Sequence, residues 1–560
     1  MHNLFKQGGI IMYRIEIYND KLNDKVISFF KTVFKENGRK IDLAEKDADI
    51  TRIPTSYLSG GNFWCAIDEK NRIIGTVAIR SLDNFFEIRR FFVLKKEKSK
   101  GIGQRLLTQA LEYAIDNGIA LIKAGTMEDG HEVHHIFEKF GFVTTKKYSN
   151  SSADIFYKLV LDSNYVYNFQ LTKLQNAFEN SLILNPTENI PMYNLKYNLD
   201  FFEGLYVSER FKDINDNVIF AGRNNYIKFF ELIKQEWKKR LKAYDIDLKT
   251  LSGLNAHLIL FLCVAKSNET IMLLPEICGG HFATTKILEN LGLNVIHMVS
   301  DNQRMKVDVE KTKKIIEKYH PEYIFIDRSE GLIYEDFSWI SEYNFSYKIF
   351  DASQYLSQIL TGTYQNPFNM GFDMIVSTLH KNYPGPQKGI IAVNSPNDVW
   401  ETYLQNAKTY ISNTHPMAIA KSLIPILDIV KFNEYSKLNI LCCKELEELL
   451  LAYNVPVVKR EKGEQPTLHI WILCASKEES YEYFLKLEQL NILTNYRLLP
   501  YNLGYGLRIG VSAAVRSGLR PKHLKELAMI MATAYAEPVS NKLYKRANKL
   551  IKSIKATEEL

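Results

Sequence analysis

Residues Asp373–Gly389 read DMIVSTLHKNYPGPQKG. An apolar strand, Met374–Ser377, runs into Thr378, His380 and Lys381. Pro384, Gly385 and Pro386 follow, and neither a strand nor a helix continues through them. A lysine delivered from a strand end into a rigid turn is poorly placed for solvation. It is well placed to be held against a ligand, and most of the chain reads as scaffolding for it.

The bulk properties narrow the classes. A chain of 560 residues holds several core-sized units. A net charge of +7 is mild for that length; it gives no argument for nucleic acid, so no nucleic-acid partner is expected, and it suits anionic cofactors. No apolar run is long enough to span a bilayer. The opening MHNLFKQGGIIMYRIEIYND lacks a secretory pattern, and Met12 is an alternative start because YRIEIYND reads as a first strand. Cys65, Cys263, Cys278, Cys442, Cys443 and Cys474 show no CxxC spacing and sit mostly in apolar runs. They read as buried, reduced thiols, so a cytoplasmic protein without disulfides or zinc is expected.

Around the opening stretch a βαβ rhythm recurs at TIMLL, NVIHM, YIFID and YKIFDAS. Strand ends carry Gly279-Gly280-His281, Asp327-Arg328-Ser329 and Asp351. Ligands of open α/β sheets bind at such ends. Leu251–His257 opens an apolar helix whose Ser252 and Gly253 either cap it or hold a phosphate. Singly, these are turns, caps or ion pairs. As an ordered set with a lysine they describe a pyridoxal phosphate (PLP) site. Ser252 and Gly253 take the phosphate, Asp351 faces the pyridine nitrogen, His281 stacks on the ring, and Lys381 forms the Schiff base. Arg508, in YGLRIG, has the planar fork that fits an amino acid's carboxylate, the bland alternative being a surface ion pair.

The stretches LNPTEN, SGLNAHL, GGHF, FDASQ, STLHKNYPGPQKG and GLRIGVSAAVRSGL occur in this order across residues 170–536. In them the chain resembles serine hydroxymethyltransferase, within the aspartate-aminotransferase-like fold type I. The resemblance implies that Glu188 transfers a proton near the substrate hydroxyl and that Ser329 and His380 support the cofactor. It also implies a homodimer whose sites are completed by the partner. The chain departs from the family at Gln354, where a histidine is usual, at Glu203–Phe211, and between Pro500 and Arg508, which is short. Gln354 still hydrogen-bonds to the cofactor's surroundings but cannot titrate. The short segment lies near the family's tetrahydrofolate site. Folate-independent aldol or transaldol chemistry on a small β-hydroxy amino acid is therefore expected alongside hydroxymethyl transfer. A PLP aminotransferase or decarboxylase is the competing reading, and Glu188 argues against it.

Residues 1–165 follow a different pattern. Strands at Phe63–Ile67, Ile73–Arg80 and Glu87–Leu94 lead to Lys98–Arg105, KSKGIGQR. Leu106, Leu107, Ala110, Leu111 and Ala114 then fall at helical spacing. Gly101 and Gly103 admit close backbone approach, and the helix start with Lys98, Lys100 and Arg105 makes a pyrophosphate cradle. Glycine before a helix is alone only a turn. With FEIRRFFV before it and HHIFEKFGFV after it, however, the segment resembles the GNAT acetyltransferases over residues 12–160. That resemblance implies acetyl-CoA as co-substrate. Its pyrophosphate lies on Lys100, Gly101, Ile102, Gly103, Gln104 and Arg105 with Lys98 beside them, and its pantetheine arm along Phe92, Val93 and Leu94. A substrate amine attacks the thioester directly. Phe137 stands where many members carry the tyrosine that protonates the departing thiolate. Glu87 is the expected base, with His131, His134 and His135 as alternatives or as surface histidines.

The expected architecture is a GNAT mixed α/β domain (1–165) and a linker and arm (166–195) with a short amphipathic helix at Leu171, Leu174, Ala177 and Phe178. A fold type I large α/β domain (196–400), a small α+β domain (401–540) and a basic amphipathic tail helix (541–560) complete it. In the small domain, helical periodicity runs through Met417–Val430 and Leu438–Leu451. The expected function is a fusion enzyme, one half working at the Cα–Cβ bond of a small amino acid and the other N-acetylating an amine. A GNAT domain that only senses acetyl-CoA is the alternative that Phe137 keeps open.

Overall fold

The computed structural model describes residues 13–557 apart from 83, 150–151, 193–198, 200–223 and 412–415. Met12 and Glu203–Phe211 lie outside the described residues. The chain forms two compact units, Met1–Ser181 with Ser540–Asn548, and Leu182–Val539 with Lys549–Leu560.

In the first unit a seven-stranded sheet runs in the order Tyr13–Ile17, Asn62–Asp68, Ile73–Leu82, Phe85–Val93, Leu121–Thr126, Ile155–Val160, Val143–Thr145. Neighbours are antiparallel except Phe85–Val93 and Leu121–Thr126, which are parallel. Helix Ile102–Asp116 turns Leu106, Leu107, Ala110, Leu111 and Ala114 into the core, as their spacing requires. Helix Ser163–Glu179 is longer than its sequence pattern suggests, and a different face is docked. Tyr165, Phe169 and Thr172 are buried, whereas Leu171, Leu174 and Phe178 are exposed. The reason is local: Asp162 caps the helix, and the Tyr165 hydroxyl donates to the Phe140 carbonyl at 2.9 Å. This fixes the start and the rotation of the helix.

The second unit holds a second seven-stranded sheet. Its order is Asn294–His297, Thr270–Leu273, Tyr323–Ile326, Tyr347–Asp351, Met374–Thr378, Gly389–Val393, Asp245–Asp247. The first five strands are parallel, so their carboxyl ends share one rim. Gly389–Val393 runs antiparallel, which lets residues 379–388 return as a short loop and hold Lys381 at that rim. The helix expected over Leu438–Leu451 spans Ile429–Ala452, because Asp428 accepts from the Lys431 N–H and starts it earlier. A three-stranded sheet, Ile470–Ile472, Gly504–Ile509 and Asn495–Leu499, carries Arg508. All six cysteines are buried and free, and no described helix is long and apolar enough to cross a membrane.

Candidate active sites

Lys381 leaves the rim after Met374–Thr378, and its loop is over-determined. The Gly385 N–H donates to the Leu379 carbonyl, and the Leu379 N–H to the Lys388 carbonyl. Asn382 accepts from the Ser357 N–H at 2.6 Å, and Thr378 Oγ1 lies 2.7 Å from His380 Nδ1. Burial lowers the Lys381 ammonium below the usual lysine range; Asp351 and Glu330 oppose that and Arg508 adds to it. Among the described residues no carboxylate lies within ion-pair distance of its Nζ. Burial also pushes His281 and His380 down to about 4, so both are neutral near neutral pH.

Asp351 ends its strand, and one of its oxygens is held by His257 Nε2 at 2.7 Å. The other accepts from the Ser353 N–H at 2.6 Å. Burial alone would raise this carboxyl, but the His257 hydrogen bond and charge, with the Ser353 donor, hold it below its ordinary value. His257 sits one turn into helix Gly253–Val264, which Ser252 caps by accepting from the Asn255 N–H. A Cβ at Gly253 would lie 3.3 Å from the Thr378 backbone nitrogen and 3.4 Å from Ser353 Oγ. A side chain there would press on the rim, so glycine eases this close approach of the helix end. His257 had no assigned role in the sequence; its signal was its place at the end of SGLNAHL.

The glycine pair before His281 is needed for close approach. A Cβ at Gly279 would lie 1.8 Å from the Glu330 carbonyl oxygen, and one at Gly280 2.1 Å from the Leu274 carbonyl oxygen. Gly279 has φ +85°, and its carbonyl accepts from the N–H groups of both Ser329 and Glu330. The GGH turn and the Ser329 strand end are therefore one assembly, and both sit on the rim. His281 stands edge-on to His257, with ring centroids 6.5 Å apart.

Arg508 is buried. Its Nε donates to Asn495 Oδ1 at 3.2 Å and its Nη1 to the Ser329 carbonyl at 3.3 Å. Glu330 Oε1 lies 3.6 Å from Arg508 Nη1 and also pairs with Arg497. Burial brings Arg508 down to about 10, helped by Arg497 and opposed by Glu330. Gln354 is buried, with Oε1 3.3 Å from His469 Nε2 and with its Nε2 lacking a partner. Sequence reasoning missed Glu330, Arg497 and His469. None of the three falls in a stretch with an unusual combination of residue types.

The LNPTEN loop is pinned against the lysine loop. Asn189 Nδ2 donates to the Lys381 carbonyl at 2.6 Å, and the Met192 N–H to the Pro384 carbonyl at 2.7 Å. Pro186 packs on Gly510, where a Cβ would come within 2.6 Å of it. Glu188 is thus delivered beside the lysine loop, and its side chain is exposed.

The first unit builds its site from backbone. Phe85–Val93 pairs with Leu121–Thr126 only over Phe86–Ile88, and the two strands part beyond it. At that point Arg90 has φ +50°, and the register against Ile73–Leu82 slips between Thr76 and Ala78. Thr76 Oγ1 donates to the Arg90 carbonyl at 2.7 Å. The buried Arg90 guanidinium is held by Asp47 at 2.9 Å and by Asp49. The bulge leaves the Phe92 and Val93 edge without a partner strand where the sheet opens. Leu94 then leads through a short turn, Lys95–Glu97, to Gly101 at φ +79° and helix Ile102–Asp116. The free N–H groups of Ile102, Gly103 and Gln104 stand at that helix start. Gly103 also has a packing reason, since a Cβ there would lie 3.2 Å from Ile136 and 3.4 Å from Phe91. Lys98 pairs with Glu132, Lys100 with Glu97, and Arg105 stacks over Tyr13 at 5.2 Å.

Two expected residues here are already engaged. Glu87 is buried, with one oxygen held by Arg80 at 2.7 and 2.9 Å and the other accepting from the Tyr148 hydroxyl at 3.1 Å. Taking up a proton would weaken both contacts. Phe137 is buried against Phe91, Phe142 and Tyr157. His134 bonds the Tyr157 hydroxyl and the Met127 carbonyl, whereas His131 and His135 stay near the surface.

With this geometry in view, the family comparisons are decisive. The serine hydroxymethyltransferase family model matches residues 206–531, more than half of the chain. The chain belongs to the serine hydroxymethyltransferase family. It also carries a GNAT domain, since the acetyltransferase (GNAT) family model matches residues 25–142. This family member is accordingly a PLP-dependent transferase with an N-terminal acetyltransferase domain. It is 27% identical over 314 residues to a serine hydroxymethyltransferase of Pyrobaculum calidifontis, covering 54% of this chain and 73% of that protein. It is 25% identical over 378 residues to one from Sulfolobus acidocaldarius, covering 65% and 86%. L-threonine transaldolase from Pseudomonas fluorescens, solved in its internal aldimine state, shares the fold. Its TM-score is 0.64 at 20% identity, over 70% of this chain and 91% of that one.

Proposed function

We propose that the serine hydroxymethyltransferase-like half makes or cleaves the Cα–Cβ bond of a small β-hydroxy amino acid, by folate-independent aldol or transaldol chemistry or by hydroxymethyl transfer, using PLP held at Lys381. One observation carries this reading. A depressed lysine and a carboxylate fixed in its ionised form by His257 share the rim of a parallel sheet. The residues fit the cofactor. Helix Gly253–Val264 starts beside the rim at Thr378 and Ser353, and a helix N-terminus stabilises a phosphate. His281, neutral near pH 7, offers a flat face, and Gln354 keeps an unpartnered amide nitrogen. Ser329, His257 and His380 brace these groups. PLP supplies an electron sink for the substrate carbon. The protein's own part is to keep Asp351 charged, to hold the substrate carboxylate on Arg508, and to move a proton at the substrate hydroxyl through Glu188. The exposure of Glu188 suits a homodimer whose partner closes over it, as the family resemblance implies.

The test is product analysis of the PLP-loaded protein with L-threonine and L-serine, with and without tetrahydrofolate. Aldehyde release without folate supports the reading. Formation of a 2-oxo acid with pyridoxamine phosphate would replace it by transamination.

For the first unit we propose acetyl-CoA binding, with pyrophosphate on the backbone N–H groups after Gly101 and the pantetheine arm on the Phe92–Leu94 edge. Transfer to an amine, including the amino group of the other half's product, is one reading. Binding without transfer is the second, and a specific observation favours it: Glu87 is spent on Arg80 and Tyr148, and Phe137 has no proton to give. Mass analysis of amino acids incubated with acetyl-CoA separates the two.

A further inference from the structure

Two arginines, not one, gather around Glu330 beside the proposed substrate site. Arg508 and Arg497 lie on adjacent strands of the small sheet, where Asn495 pairs with Arg508 and Arg497 with Gly506. Both guanidinium groups act on His469, which is buried behind Gln354, and Arg497 also acts on His281. Two neighbouring guanidinium forks suit two carboxylates. Glu330 already supplies one of them. Its side chain is 2% exposed; Oε1 sits 3.6 Å from Arg508 and against Arg497, while Oε2 is buried without a hydrogen-bond partner. Its position is rigid, because its N–H donates to the Gly279 carbonyl at 3.0 Å and its own carbonyl closes on Gly279.

We propose that Glu330 is a resident carboxylate that fills the second anion position of the pocket and restricts the enzyme to amino acids with one carboxylate. The charge balance supports this. Two arginines and Glu330 leave one net positive charge, which a single substrate carboxylate neutralises. A second substrate carboxylate would meet Glu330 where it already holds Arg497. Two carboxylates sharing one buried site cannot both stay charged without cost. Arg497 is the more open fork, with 30% of its side chain exposed, so a side-chain carboxylate would reach it first once Glu330 is gone. The inference rests on Arg508 being the carboxylate anchor. It adds what sets the upper limit on substrate charge.

The experiment compares the PLP-loaded full chain with Glu330→Gln and Glu330→Ala. Each is titrated with L-serine and with L-aspartate by calorimetry and by the visible absorbance of the cofactor. The quantity read is the ratio of the two dissociation constants, which cancels any general loss of cofactor or folded protein. The wild type favours L-serine. Glu330→Ala, which removes both charge and bulk, shifts the ratio towards L-aspartate by about tenfold or more, roughly the worth of one charge-assisted contact. Glu330→Gln, which keeps the shape, shifts it in the same direction by less and guards against misfolding of the alanine variant. Arg497→Met added to Glu330→Ala takes the gain away. A ratio unchanged in both single variants would overturn the proposal while leaving the PLP reading intact. If the wild type binds neither amino acid although the cofactor is loaded, the carboxylate anchor itself is wrong and this inference falls with it.

Discussion

The two proposed sites contrast in how they are made. In the second unit the groups are side chains gathered at one rim: Lys381, Asp351, His281 and Arg508, with Asp351 braced by His257 and Arg508 by Glu330 and the Ser329 carbonyl. In the first unit the ligand-facing surface is main chain: an unpaired strand edge after a bulge and a helix start after a left-handed glycine. The deeply buried cation there, Arg90, is spent on Asp47 and Asp49 and ties them into the scaffold. The cations that flank the glycine turn sit in exposed pairs. Side-chain sites put chemistry into residue identity. A main-chain site puts it into φ and register, which many sequences can encode.

This contrast can be broken by removing one group at a time, from largest to smallest effect. Arg90→Ala leaves the buried Asp47 and the half-buried Asp49 without their cation and takes away the bulge's anchor. It should cost about 3–5 kcal/mol, seen as a large drop in the unfolding midpoint. A loss under about 1 kcal/mol would mean that the bulge holds itself. Asp351→Asn keeps the shape and removes the charge, so turnover should fall by about 10²–10³-fold with cofactor retained. Little change would show that the ring nitrogen needs no anion here.

A pH titration of stability is next. His281 and His380 have folded values of about 4 against 6.5 for an ordinary histidine. The unfolded chain therefore takes up these protons near 6.5, and the folded chain only near 4. Stability should fall as pH drops through that window. Asp351, whose folded value is depressed, keeps its contribution until pH falls below that window. Thermal unfolding at pH 5 and 7 checks the sign, and His380→Phe should flatten part of the slope. Smallest of all, Lys100→Ala should move stability by less than about 0.5 kcal/mol, since its partner Glu97 is a surface pair. Acetyl-CoA binding, read by calorimetry, should still weaken measurably.

Much of the second site was legible because its residues cluster in short stretches whose types are unusual together, such as GGH and HKNYPGP. His257 was harder to see, because a histidine one turn into an apolar helix looks like core. Glu330 and Arg497 were invisible for another reason: their meaning comes from Arg508, which is distant in sequence from Glu330 and across a strand pair from Arg497. In the first unit the strands and the glycine turn were readable, but no residue type announces that Arg90 would take a positive φ. The docked face of Ser163–Glu179 was misjudged because its apolar residues outnumber the face that Tyr165 and Phe169 actually bury.

The most direct test of the central claim is chemical trapping. The full chain is loaded with PLP, reduced with borohydride, digested and mapped by mass spectrometry. Lys381 carries the pyridoxyl group if the account is right. Burial pushes another lysine of the same loop, Lys388, down to about 8, and its Nζ donates to the Lys249 carbonyl at 3.1 Å. A pyridoxyl group on Lys388, or on no residue of this loop, would contradict the account.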